Sequence, residues 1–296
     1  MLKKILNYHE EKTHILLKKV CGRYGARVFP KLRVADVFRI DRSGISDKEY
    51  SFALKSHFDF IVTDSTNAPQ FVVEFDGPQH NEPAQRSRDR IKNQLCNRFG
   101  LALLRVNAKY LTDRYRGMDL LTWAIQYWFV SKMLQGCQEQ GILPHDEYFD
   151  PFMVLSIHGN PREFPMWLSM QPLQEIKRLH DEGRISDPTP SWFVGEDGAG
   201  NYHGITFIRI TTKSGTYTTS GMRCQSFPII ESELLEEILS FEIKEAVQAV
   251  LNGKQDAVPL EVVQEKIEQF QRKYVWSGSS TYGDDPSLKN WITKRS

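Results

Sequence analysis

No apolar run in this 296-residue chain approaches the roughly 20 residues needed to span a bilayer, so a membrane span is not expected. The opening MLKKILNYHEEK lacks both a long apolar stretch and a small-residue cleavage site, so no signal peptide is read there. Cysteine is scarce. Cys21, Cys96, Cys137 and Cys224 are far apart and form no CxxC pair, which fits reduced thiols in a cytoplasmic protein better than a disulfide frame or a zinc site. The glycine-rich GEDGAGNYHG lacks a following Lys-Ser/Thr and is not a phosphate loop. His9, His14, His57, His145, His158, His180 and His203 show no metal-ligand spacing. The chain also lacks a strong charge balance, its formal net charge being +1.

What is present is an ordinary globular balance of 40% hydrophobic and 25% charged residues, with length for one large domain or two ordinary ones. Charge is segregated. Between residues 86 and 116 nine Lys/Arg face two Asp, a candidate phosphate-binding surface, whereas between 231 and 268 ten acidic residues face three lysines. Solvated helix faces of opposite sign would give the same pattern.

Apolar spacing predicts a helix over 5–21 stopped by Gly22, and Val/Phe-rich extended chain over 26–40, with Pro30 at an edge or bend. Residues 42–56 read as a loop or a partly helical excursion. HFDFIVTD and PQFVVEFDG read as two strands joined by a turn at 65–68, with Asp64 opposite Pro69. A loop, a helix over 86–100 and the buried strand LALLRVN follow. This order describes an α/β layer with a mixed sheet. A strongly apolar helix is expected over 117–140, carrying Trp123, Tyr127, Trp128 and Phe129 as core or interface residues, and then a linker over 141–150. The second half, 141–296, reads as an accessory α+β domain with a β-hairpin near 205–224 turning at 213–215. Helices are expected over 231–252 and 259–274, and a loosely ordered tail from Ser277. Trp192 and Phe193 suit core packing or base stacking.

The chemistry concentrates in the first hairpin. Side chains alternate along a strand, so Asp59, Ile61 and Thr63 lie together on one face of the first strand, and Val72, Glu74 and Asp76 lie together on one face of the second. The register places Asp59 opposite Glu74, at the roughly 4.5–5.5 Å Cβ spacing at which like charges repel. Three carboxylates on an otherwise apolar sheet need a cation, a proton or a basic partner, and a hard divalent ion such as Mg2+ or Mn2+ suits their oxygens. On the following helix Arg88 and Lys92 fall in the arc of Ile91, Leu95 and Phe99, while Asp89 and Arg90 point elsewhere. His80 lies just past Asp76.

The runs DFIVTD, FVVEFDGPQH and RDRIKNQLCNRFGLALLRV resemble the restriction-endonuclease-like, PD-(D/E)xK, superfamily, in particular its branch of bacterial domains related to very-short-patch repair endonucleases. The resemblance covers roughly residues 10 to 108. It implies that residues 1–140 form a nuclease domain with a restriction-endonuclease-like mixed sheet flanked by helices and a trailing helix. It makes Asp59, Glu74, the Phe75 carbonyl and Glu11 (or Glu10) metal ligands for Mg2+ or Mn2+, and Asp59, Glu74, Asp76, His80, Lys92 and Arg88 catalytic residues. Where the superfamily has a Lys two residues after the Glu, this chain has Asp76, and Lys92 or Arg88 is placed to restore the charge. Arg86, Arg90, Lys18 and Lys19 would hold the nucleic-acid backbone. The expected function is that of a metal-dependent nuclease acting on DNA in restriction, phage defence or repair. A catalytically inactive nucleic-acid-binding module and a protein-interaction scaffold are the alternatives, with a homodimer or a protein partner engaged through the C-terminal half.

Overall fold

The computed structural model describes residues 4–77, 83–115, 119–148, 150 and 167–280. The chain divides into two compact units, Met1–Pro151 with Gln225–Ile229, and Phe152–Cys224 with Ile230–Ser296.

The first unit is built on a four-stranded mixed sheet. The helix α1 (Tyr8–Gly22) opens with a reciprocal capping box, Asn7 accepting from the Glu10 N–H and Glu10 accepting from the Asn7 N–H. Strand β1 (Arg27–Pro30) follows, then a one-turn helix α2 (Val34–Val37) and α3 (Asp47–Lys55). Expectation and structure differ over 26–40, where the extended segment ends at Pro30. The partly helical reading of 42–56 holds, 47–55 being a helix started by a Ser46–Glu49 capping box. Strands β2 (Phe60–Thr63) and β3 (Pro69–Phe75) pair antiparallel, and α4 (Pro83–Arg98) carries the chain over to β4 (Ala102–Val106), which pairs parallel with β3. The sheet order is β1-β2-β3-β4. A 3-10 turn at Ala108–Leu111 leads to α5 (Leu120–Glu139).

Alternation divides the sheet into two faces. Ile61, Val72 and Leu103 join Val34, Phe38, Ala53, Phe58, Ile91 and Leu95 in one core, so α2, α3 and α4 cover that side. Phe60 and Phe71 point the other way, Phe60 stacking on His14 of α1 and Phe71 meeting Trp128 of α5 at 5.1 Å. Trp123 and Trp128 are buried, as core residues should be.

The edge of β4 is covered by the returning segment Gln225–Ile229. Leu103 and Ser226 form an antiparallel bridge, and the Gln225 side chain accepts from the Arg105 N–H at 2.7 Å and donates to the Arg105 carbonyl at 3.1 Å. That amide stands in for a neighbouring strand, satisfying backbone groups that an open edge would expose.

The second unit carries a five-stranded antiparallel sheet in the order β8-β7-β6-β5-β9. Its elements are α6 (Met170–Asp181), β5 (Ser191–Glu196), β6 (Tyr202–Arg209), β7 (Ser214–Met222), α7 (Glu231–Leu251), β8 (Val258–Pro259), α8 (Leu260–Lys273) and β9 (Val275–Ser280). α6 and α7 pack on one face through Ile176, Leu179, Ile208 and Ile243, and α8 packs on the other through Phe193, Ile205, Phe207, Val263 and Ile267. Phe193 is therefore a core residue, and Trp192 is half-buried beside Leu235 and Leu239 of α7. The hairpin turn lies at 210–213, ahead of the expected 213–215. The polar stretch from Ser277 continues an edge strand as far as Ser280. No described helix is long and apolar enough to cross a membrane.

Candidate functional site

Continuing the antiparallel register of β2 and β3, in which Phe60 pairs with Val73 and Ile61 with Val72, sets Asp59 across from Glu74. Near the turn the pairing shifts, so that Thr63 rather than Asp64 faces Pro69. The reason is local. The Asp64 carboxylate accepts from Thr66 and Ala68 N–H groups, curling the chain into its own turn with Asn67 at φ 70°, and the ladder takes up the extra residue as a bulge.

The two carboxylates are locked together through the backbone. The Asp59 N–H donates to Glu74 Oε1 at 3.2 Å, and the Phe75 N–H donates to Asp59 Oδ2 at 2.9 Å. Each remaining oxygen meets an ammonium group. Lys92 Nζ lies 2.5 Å from Glu74 Oε2, and Lys31 Nζ lies 2.6 Å from Asp59 Oδ1. Lys31 also reaches Glu10 Oε1 at 2.9 Å, tying α1 to the site. Glu10 is held by its capping box, whereas Glu11 is exposed. Phe75 contributes its N–H to Asp59 and stacks its ring on His9.

Beside this pair lies a second ionic group. Parallel pairing sets Arg105 next to Glu74, and the Arg105 side chain, 2% exposed, donates to Asp76 at 2.8 Å and to Asn93 Oδ1 at 2.9 Å, with Asp89 at 3.5 Å. Asp76 is thus the partner of Arg105 within the sheet. Asp89, expected to point away, is buried against Arg105 and accepts from Gln85. The stripe 85, 89, 92, 96 of α4 faces the charged end of the sheet. Arg88 lies to one side of that stripe and is exposed, so it does not join Glu74. Arg86, Arg90, Lys18 and Lys19 are exposed on α4 and α1. His80 lies outside the described residues.

The electrostatics follow from burial. Desolvation pushes the Glu74 carboxyl up, Lys92 opposes that shift, and the nearby Asp59 adds to it. For Lys31 burial acts downward, but the hydrogen bond and charge of Asp59, followed by those of Glu10, outweigh it and the amine is held above its ordinary value. Arg105 is likewise raised, its burial overcome by Asp76, Asp89 and Glu74. Cys96, on the same stripe of α4, is pushed up to about 12 by burial and has no thiolate chemistry to offer at neutral pH.

Glu10, Asp59, Glu74, Asp76 and Asp89 therefore gather around Lys31, Lys92 and Arg105. Carboxylate oxygens of this kind suit a hard divalent cation better than a soft one. Among the described residues no three His, Cys, Asp or Glu side chains already converge as a ready-made metal cluster. Asp59 and Glu74 face each other across the two strands, each held by an ammonium.

Sequence reasoning missed Lys31, Asn93 and Arg105. The signal for Glu10 over Glu11 was available in the Asn-x-x-Glu capping pattern of residues 7–10. Residues 2–118, less than half of the chain, match a family model described as "Protein of unknown function (DUF2726)". No curated protein and no solved structure matches the chain.

Proposed function

We propose that the first unit is a divalent-cation-dependent nuclease of restriction-endonuclease-like fold that hydrolyses phosphodiester bonds, with DNA as its substrate, in restriction, phage defence or repair. The observation that carries this reading is Lys92 on Glu74 at 2.5 Å, with Asp59 opposite on the same sheet face. A lysine from α4 thereby supplies the positive charge that Asp76 cannot. Asp59 and Glu74, with the Phe75 carbonyl, are the groups that would hold Mg2+ or Mn2+, and such an ion lowers the pKa of bound water and neutralises phosphate charge. Lys92 is positioned to stabilise negative charge growing on the phosphate oxygens. Asp89 and Asp76 fix Arg105, which supports β3 under Glu74. The exposed Arg86 and Arg90 on α4, with Lys18 and Lys19 on α1, are suited to the phosphate backbone.

One observation favours a second reading, a nucleic-acid-binding module without catalysis. All four carboxylate oxygens of Asp59 and Glu74 already accept from protein donors. Supercoiled plasmid incubated with Mg2+ or Mn2+ separates the two. Nicking or linearisation by the wild type, lost in Glu74→Ala and Lys92→Met, supports the enzyme. Salt-sensitive binding to plasmid with no cleavage under either metal supports the module.

A further inference from the structure

The three cations of the site are not equivalent. Arg105 is 2% exposed and bonded on several sides, and Lys92 is 12% exposed over a Glu74 that is 3% exposed. Lys31 is the most open of the three at 27%, and its single ammonium bridges two carboxylates from different elements. Its backbone is pinned, since the Lys31 N–H donates to the Asp59 carbonyl at 2.9 Å, so only the side chain is at liberty to move.

Lys31 also stands where glycine would be easiest. Its φ is 56°, in the left-handed region that a side chain enters at a cost. The side chain carried there brings an ammonium to two carboxylates. Between Glu10 and Asp59 it neutralises the most solvent-accessible part of the carboxylate group, and its distances of 2.9 and 2.6 Å describe two oxygens already converging on one positive centre.

We infer that Lys31 is a tethered counter-cation, which holds Glu10 and Asp59 together when no divalent ion is bound and yields its place when one enters. Glu10 is then part of the ion's surroundings through the group it shares with Asp59. The inference rests on the divalent-cation reading above and adds a prediction of opposite sign to that of a supporting residue. A residue that helps hold the ion lowers affinity when removed, whereas a competitor for the same oxygens raises it.

The test is titration calorimetry of the full chain with Mn2+ alone at fixed ionic strength, supported by Mn2+ electron paramagnetic resonance. Wild type is compared with Lys31→Met and with Lys31→Gly, the latter also relieving the left-handed backbone, so that folding does not decide the result. Both variants should bind Mn2+ at least about tenfold more tightly, the factor expected when even one of the two charge-assisted hydrogen bonds of Lys31 need not be broken. Mn2+ should also raise their melting temperature by more than it raises that of the wild type. Binding by wild type with equal or weaker binding by both variants overturns the role of Lys31 and leaves the metal reading standing. No Mn2+ binding by any of the three overturns both.

Discussion

Replacing Lys92 with methionine leaves Glu74 without its cation in a place where water scarcely reaches, since its side chain is 3% exposed. Breaking a buried pair from one side costs about 3–5 kcal/mol. Glu74 has one escape, which is to take up a proton. From an ordinary glutamate value of about 4.3, neutralisation costs about 3.7 kcal/mol at pH 7 and about 1 kcal/mol at pH 5, which caps the loss. The sign follows from burial. The Glu74 carboxyl already lies above its unfolded value, and Lys92 is the largest influence holding it down. Without Lys92 it moves further up. A raised acid contributes stability fully below its unfolded pKa and loses it as pH rises. The deficit of Lys92→Met relative to wild type should therefore widen with pH, to about 3 kcal/mol at pH 7. Native-state hydrogen exchange of β3 amides at pH 5, 6 and 7 reads this sheet apart from the second unit. Adding Glu74→Gln should remove the pH dependence. A deficit below about 1 kcal/mol at every pH, or one that shrinks as pH rises, would refute the reasoning.

Three further outcomes are expected. Gly204→Ala places a methyl 2.5 Å from Leu239 Cδ1 and 3.4 Å from Leu235, so urea unfolding of the second unit should show a loss of about 1–3 kcal/mol, recovered in part by Leu239→Ala. Glu236 on α7 is pushed up to about 7 by burial and by Glu233 and Glu237, so the second unit loses stability as pH rises from 4.5 through 7. Glu236→Gln should flatten that profile, gaining on the order of 1 kcal/mol at pH 8 because solvent screens much of the effect, as melting curves at pH 6 and 8 would show. Gln225→Ala deletes both side-chain bonds to the Arg105 backbone and should cost about 1–2 kcal/mol in the first unit, with faster exchange of the β4 amides.

The pairing of Asp59 with Glu74 was legible because a period of two is a local property of FDFIVTD and FVVEFD. Partners brought by topology were not. Lys31 is 28 residues from Asp59, on chain that reads as one extended run, and nothing local marks its left-handed turn. Arg105 is 29 residues from Asp76, and its place beside Glu74 depends on a parallel crossover whose register no motif fixes. Asp76 and Asp89 were accordingly assigned without the guanidinium that explains both. In the second unit β5 was hidden by its Pro, Gly and Asp surroundings. Yet Gly195 within it is needed where a Cβ would meet the Val275 carbonyl at 2.7 Å. β9 was hidden by Ser and Gly, because an edge strand needs only backbone groups to pair with β5.

The return of Gln225–Ile229 to the first sheet has a practical consequence for anyone cutting this protein into pieces. A fragment stopping near residue 118, the end of the family match, or near 151 retains every strand of that sheet but leaves β4 with a bare row of amides and carbonyls. Such a fragment invites β-addition by its own copies, and a soluble excised domain would need those five residues grafted back by a short linker after α5.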